Sequence, residues 1–233
     1  MSTIRVIRSA ERDIWRDSAL ISRQSFPATG NFDLAANAFG LLLVHNDDVV
    51  APGEGFDMHQ HDNVEIVTWI VDGRLRHRDS GSGDATELGA GSAQHISAGS
   101  GVRHSEVNAA GYTSRSHVRV VQSWLPADTR DTAPFHSSHD FNAALAGGGL
   151  VPVAGPDSPL PLGTGGAALY AARLTSEVTV PAGAFIHLYV IRGHVAVAGE
   201  HLGEGDTLRA TDAGPLTVVG EGEILVWVME RGN

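Results

Sequence analysis

Four side chains in two strand-like runs carry the most specific chemistry in this chain. They are His59 and His61 in Met58-His59-Gln60-His61, and His104 and Glu106 in Val102-Arg103-His104-Ser105-Glu106. In an extended strand, positions i and i+2 face the same way, so each pair presents two donors to one spot, and two such pairs can share one ion. Three neutral imidazoles and one carboxylate suit a divalent first-row transition metal and disfavour magnesium and calcium. Four protein ligands leave one or two positions of a five- or six-coordinate ion open to a small molecule or dioxygen.

Other residues compete for attention. Glu65 shares the strand parity of His59 and His61 and is the rival carboxylate, otherwise a hydrogen-bonding support for the ligands. Trp69 shares that parity and reads as a core residue. His77, His95 and His117 are candidates to line a cavity. His136 and His139 are expected to be exposed, and His187, His194 and His201 receive no role. No Gly-x-Ser-x-Gly elbow, His-Glu-x-x-His or Gly-x-Gly-x-x-Gly motif is present.

Composition removes further chemistry. All 16 basic residues are Arg, and Cys is absent, which excludes Schiff-base lysines, thiol catalysis, disulfides and Cys-bound zinc. A net charge of −11 with no Arg-rich run argues against direct nucleic-acid binding and against anionic membranes. The opening segment has no apolar leader run and no later run reaches membrane length, so a soluble, cytoplasmic protein is expected.

The elements that must position the ligands are short strands punctuated by 28 Gly and 10 Pro, with no sustained 3.6-residue apolar period, so an all-β fold is expected. Ile4 to Ser9 reads as a strand, and the Trp15 segment as loop or one helical turn. Leu41 to Val50 reads as two strand pieces about a turn at Asn46-Asp47-Asp48, and Asp72-Gly73 as a tight hairpin between Val64–Val71 and Arg74–Arg78. Strands are also expected at Ala93 to Ser97, Ser116 to Leu125, Ala167 to Leu174, Ala184 to Ile191, Val195 to Ala198, Leu216 to Val219 and Glu223 to Met229. The Gly- and Pro-rich stretch 126–166 reads as a connection with one helical turn near Phe141 to Leu145. Residues 1–125 would then form a metal-binding domain and 167–233 a second domain.

The halves repeat. Ile70-Val71-Asp72-Gly73 matches Val190-Ile191-Arg192-Gly193, and Leu88-Gly89-Ala90-Gly91 matches Leu202-Gly203-Glu204-Gly205. Those registers set Thr179, Pro181, Val218 and Gly220 against the four ligand candidates, so only the first half is expected to hold metal.

The spacing Gly53-(five)-His59-Gln60-His61-(three)-Glu65, then Asp72-Gly73, then Ala98-Gly99-Ser100-Gly101-Val102-Arg103-His104-Ser105-Glu106, resembles the pirin family of bicupins. Asn46-Asp47-Asp48 and Gln122-Ser123-Trp124 match the flanks. The resemblance implies two facing jelly-roll β-barrels (cupin domains), with one divalent metal per chain in the first. The metal would be iron, with manganese, cobalt, nickel, copper or zinc as alternatives. It assigns the ligands as His59, His61, His104 and Glu106, and makes Glu65 a non-ligand. It also implies ring cleavage of a flavonol such as quercetin with dioxygen, Glu106 acting as ligand and catalytic base together through a free second oxygen. The alternative it implies is a non-enzymatic metal-dependent regulator that binds a transcription factor or metabolic enzyme. Arg23-Gln24-Ser25-Phe26 departs from the family's aromatic-rich segment.

Overall fold

A computed structural model describes residues 2–26, 33–34, 36–80 and 85–232. Its strands are β1 (Thr3–Ile7), β2 (Asp13–Arg16), β3 (Leu20–Gln24), β4 (Val44–Val50), β5 (Gly55–His61), β6 (Val64–Asp72), β7 (Arg74–Asp79), β8 (Ala85–Gly89), β9 (Ser92–Ser97), β10 (Val102–Asn108), β11 (Val118–Pro126), β12 (Phe135–Asp140), β13 (Val151–Ala154), β14 (Ala167–Leu174), β15 (Val178–Val180), β16 (Gly183–Val197), β17 (Glu200–Gly203), β18 (Thr207–Ala213) and β19 (Leu216–Met229). A short α-helix, α1 (Asn142–Leu145), lies where a helical turn is expected. The fold is an all-β bicupin.

A seven-stranded sheet β12-β9-β6-β11-β4-β3-β2 and a four-stranded sheet β5-β10-β7-β8 enclose the first barrel, and an eight-stranded sheet forms the second. Strand alternation decides what each face of β6 does. Val67, Trp69 and Val71 face the second barrel, in one core with Phe141, Leu169, Tyr189 and Trp227. Ile66 and Ile70 face the first barrel's interior. Trp69 Nε1 donates to Glu223 Oε1 at 2.9 Å and Trp227 Nε1 to Ser123 Oγ at 3.0 Å, so each buried indole N–H is satisfied across the join.

The two interiors differ. The second barrel is filled by a continuous apolar cluster that includes Val180, Ile186, Leu188, Val190, Leu208, Ile224 and Val226. In the first barrel the apolar side chains form two separate groups, around Ile70 and around Ile66. Thr68, Gln94, His104 and Glu106 are also buried in this half.

Several expectations are corrected. Asn46-Asp47-Asp48 is no turn but the middle of β4. Asp47 is fully buried and held by Arg119 Nε at 2.9 Å and Nη2 at 2.7 Å, together with the Tyr189 hydroxyl. Those partners remove the reason for Asp to seek a turn. Asp72-Gly73 closes no hairpin, because β6 and β7 belong to different sheets. Gly73, at φ +74°, is the corner where the chain changes sheet, and a Cβ there would meet the His117 carbonyl oxygen at 2.5 Å. The matching Arg192-Gly193 lies within the unbroken strand β16, and the last two expected strands are likewise one, β19. The Trp15 segment is strand β2.

Strand pairing also crosses the expected divisions. β1 pairs with β18 of the second barrel. The stretch read as a connection holds β12, which pairs with β9 of the first barrel, and β13, which pairs with β14.

Candidate metal centre

The two strands that carry the ligand candidates lie side by side. β5 and β10 pair antiparallel with His59 opposite His104 and His61 opposite Val102, but Glu106 opposite Phe56. Between those registers β5 carries one residue more than β10, a bulge that re-aims the side chains around it. The ring centroids of His59 and His104 are 4.4 Å apart, those of His59 and His61 4.7 Å, and those of His61 and His104 5.1 Å. One ring nitrogen of each of the three lies within 4.8 Å of the others. Donor atoms of His104, Glu106 and His77 form a second group on the same limit, so His104 joins the histidine cluster to the carboxylate.

The donors are chemically prepared. His59 Nδ1 lies 2.7 Å from the Asp57 carbonyl oxygen; a carbonyl only accepts, so Nδ1 carries the proton and the Nε2 lone pair is left for a metal. His104 is buried, and neither ring nitrogen has a hydrogen-bond partner. A buried polar atom without a partner is costly unless something else satisfies it. A divalent metal is what this donor set fits. Burial, reinforced by neighbouring His59, His61 and His77, pushes His104 down to about 3, and burial with His59 beside it pushes His61 down to about 4. Both are neutral, as metal ligation requires.

Glu106 is held by three side chains that sequence spacing does not single out as its partners. Thr68 Oγ1 donates to Oε1 at 3.2 Å, Gln94 Nε2 to Oε1 at 2.5 Å, and Gln122 Nε2 to Oε2 at 2.8 Å. The signal that finds them is a polar residue at an inward position of an apolar strand: Thr68 stands between Val67 and Trp69, and Gln94 beside Ala93.

Glu65 is elsewhere. It accepts hydrogen bonds from His95 Nε2 at 2.5 Å, Ser97 Oγ at 2.6 Å and the Gly163 amide at 2.9 Å, and bonds to none of the four ligand candidates. Shared parity fails because the chain passes from the four-stranded to the seven-stranded sheet between His61 and Val64, turning at Asn63 with φ +50°. Parity has meaning only within one strand.

Beside the centre lies a cavity of about 600 Å³ lined by His77, Asp79, Ile96, Val102, Phe135 and His136 among others. His136 is therefore half-buried rather than exposed, stacked on His77 at 4.2 Å and 15°, while His139 and His117 are exposed and His187 is buried. His77, Asp79 and His136 bring donor atoms within 4.8 Å of one another. Near-parallel imidazoles, however, hold their in-plane lone pairs side by side rather than convergent, so this trio is a cavity wall.

In the second barrel, β15 pairs with β19 as β5 does with β10, and the paired residues are Val178 with Val218, Thr179 with Thr217 and Val180 with Leu216. No imidazole or carboxylate stands there. Among the described residues no helix is long and apolar enough to cross a membrane.

Comparison with known proteins agrees with the geometry. The chain is 38% identical over 237 residues to a Mycobacterium tuberculosis protein named "Putative quercetin 2,3-dioxygenase Rv0181c", covering 98% of this chain and 96% of the other. It is 34% identical over 124 residues to the quercetin 2,3-dioxygenase of Escherichia coli K12, covering 53% of this chain and 52% of that one. The crystal structure of YhhW from Escherichia coli superposes with a TM-score of 0.88 at 26% identity, covering 99% of both chains. The bacterial pirin YhhW in complex with nickel(II) superposes at 0.87, also at 26% identity, covering 99% of this chain and 100% of that one. The family described as Pirin matches residues 8–125, the span that holds His59, His61, His104 and Glu106, and the chain belongs to the pirin family.

Proposed function

We propose that this protein is a metal-dependent dioxygenase that cleaves the ring of a flavonol such as quercetin with dioxygen, using one divalent metal held by His59, His61, His104 and Glu106. The observation that carries the reading is His104, buried with both ring nitrogens unpartnered between His59, His61 and Glu106. Relatives named as quercetin 2,3-dioxygenases support the reaction class, and the nickel(II) complex of a family member supports a transition metal. When bound, the metal would supply Lewis-acid activation and a template that holds flavonol and dioxygen together.

The protein's own part follows from its lining. Ile96, Val102 and Phe135 give the cavity apolar walls for a planar aromatic, while His77 and His136 offer polar edges for hydroxyl groups. An ionised carboxylate has about four lone-pair positions. Glu106 fills two on Oε1 and one on Oε2, leaving one on Oε2. That position can face a metal or take the substrate's proton, but not both at once. The simultaneous ligand and base roles implied by the family resemblance therefore become alternating ones.

The test reconstitutes metal-free protein with Fe(II), Mn(II), Co(II), Ni(II), Cu(II) or Zn(II) and follows dioxygen uptake and loss of flavonol absorbance. Turnover with at least one metal is expected, and none with any, in protein shown to bind them, refutes the reading. Glu106→Gln at saturating metal should lower kcat by roughly 10²–10⁴-fold if Oε2 takes the proton. A few-fold loss would make Glu106 a ligand alone.

A further inference from the structure

A glutamine amide turned over by 180° offers an oxygen where it offered an NH2, and the two orientations have nearly the same shape. Gln94 and Gln122 both point their NH2 groups at Glu106, so what matters is the far end of each amide. Trp124 Nε1 donates to Gln122 Oε1 at 2.9 Å. An indole nitrogen can only donate, so it accepts no other orientation of Gln122. His136 Nε2 lies 3.2 Å from Gln94 Oε1. With Gln94 donating to the carboxylate, that contact requires the tautomer with its proton on Nε2. Thr68 completes the circuit: its Oγ1 accepts from Gln122 Nε2 at 3.2 Å and donates to Glu106 Oε1.

We propose that His136 and Trp124 are positioning residues, each a ring N–H that locks one glutamine in the orientation donating to Glu106, so that the single open lone pair of Oε2 faces the histidines. The inference rests on reading Glu106 as a metal ligand. Without the locks, either glutamine can rotate its oxygen toward the carboxylate. That removes a charge-assisted donor and sets two acceptors face to face. Neither lock belongs to the ligand strands: Trp124 is on β11, and His136 is on β12, in the stretch that sequence patterning reads as a connection.

The experiment is a competition titration of the full chain with Ni(II). Trp124→Phe keeps an aromatic ring beside His61, whose centroid lies 4.8 Å away, and His136→Phe keeps a ring to stack on His77, but both lose the N–H. Each should weaken Ni(II) by about 10–100-fold, the range typical of lost outer partners of metal ligands. In a Gln122→Leu background Trp124→Phe should cost nothing more, and likewise His136→Phe in Gln94→Leu, because a lock with nothing to hold is silent. Losses that add in the double variants, or single variants that bind Ni(II) like the wild type, overturn the proposal. Glu106→Gln separates the two layers: unchanged Ni(II) affinity there places the failure in the ligand reading itself. The side-chain amide resonances of Gln94 and Gln122 in metal-free protein test the locks directly. Each should shift toward the values of a free glutamine when its ring N–H is removed, and unmoved resonances overturn the locks whatever the metal does.

Discussion

Glu65 and His95 pair across adjacent strands of the seven-stranded sheet, His95 Nε2 donating to Glu65 Oε2 at 2.5 Å, and both are buried. The pair sits on the face of β6 that carries Trp69 and Val67 toward the second barrel. Burial alone would raise the Glu65 carboxyl, but the donors from His95, Ser97 and Gly163 outweigh it and hold it below its usual range. A depressed carboxylate contributes stability above its unfolded value of 4.5, and the contribution is lost as pH falls through the lower folded value. Glu65→Gln should therefore lower the denaturation midpoint at neutral pH, and the gap from wild type should close in acid. Its Ni(II) affinity should stay within a few-fold of wild type, as a calorimetric titration would show.

His104→Ala removes the residue shared by the two donor groups. Elemental analysis of wild type should find one metal per chain, and this variant close to none. The rise in Tm on adding Ni(II) should vanish with it, since only ligand-bound native state is stabilised by mass action. A second equivalent in wild type would contradict the single centre.

The metal-free protein should lose stability as pH falls below neutrality. His61 and His104 have folded values near 4 and 3 against an ordinary 6.5, and His45 and His136 are likewise pushed down by burial, to about 3 and about 4. From pH 6.5 downward the unfolded chain takes up protons that these buried rings refuse, so unfolding gains ground until the folded values are reached. Urea denaturation at steps from pH 7 to pH 4 should show the decline. His104→Ala, which removes one such ring, should make the slope shallower.

Gly55 sits at φ +153°, and a Cβ there would lie 2.3 Å from the Glu106 carbonyl oxygen and 2.6 Å from Val107 Cα. Both neighbours are backbone and cannot swing aside. Gly55→Ala should push β5 from β10, cost about 1–3 kcal/mol of stability, and weaken Ni(II) by separating His59 from His104. Stability in urea and Ni(II) titration would record both effects together.

The cluster of His59, His61 and His104 was legible because its donors sit at i, i+2 spacing in Gly-framed runs, while the choice of Glu106 over Glu65 came from the family resemblance and not from spacing. The hydrogen-bond circuit around Glu106 was not. It joins Thr68, Gln94, Gln122, Trp124 and His136 from four different strands, β6, β9, β11 and β12, and only the sheet order brings those together. Asp47 misleads for a related reason: the residue favours turns by itself, and the Arg119 that keeps it in a strand is 72 positions away. Glu65 misleads because alternation is counted across a change of sheet that leaves only the short Asp62-Asn63 step as its mark.

The pairing of β1 with β18 reaches from Thr3 to Thr211, and it sets an order of events during synthesis. Strand β1 has no edge to join until β18 has been made, and closing so long a loop comes late in folding. The two sheets around the ligand candidates draw only on β2 to β12, so every strand they need has been made once Asp140 is complete. The donor cluster can thus be assembled while the second barrel is still being translated, and β1 then fastens the finished halves to each other.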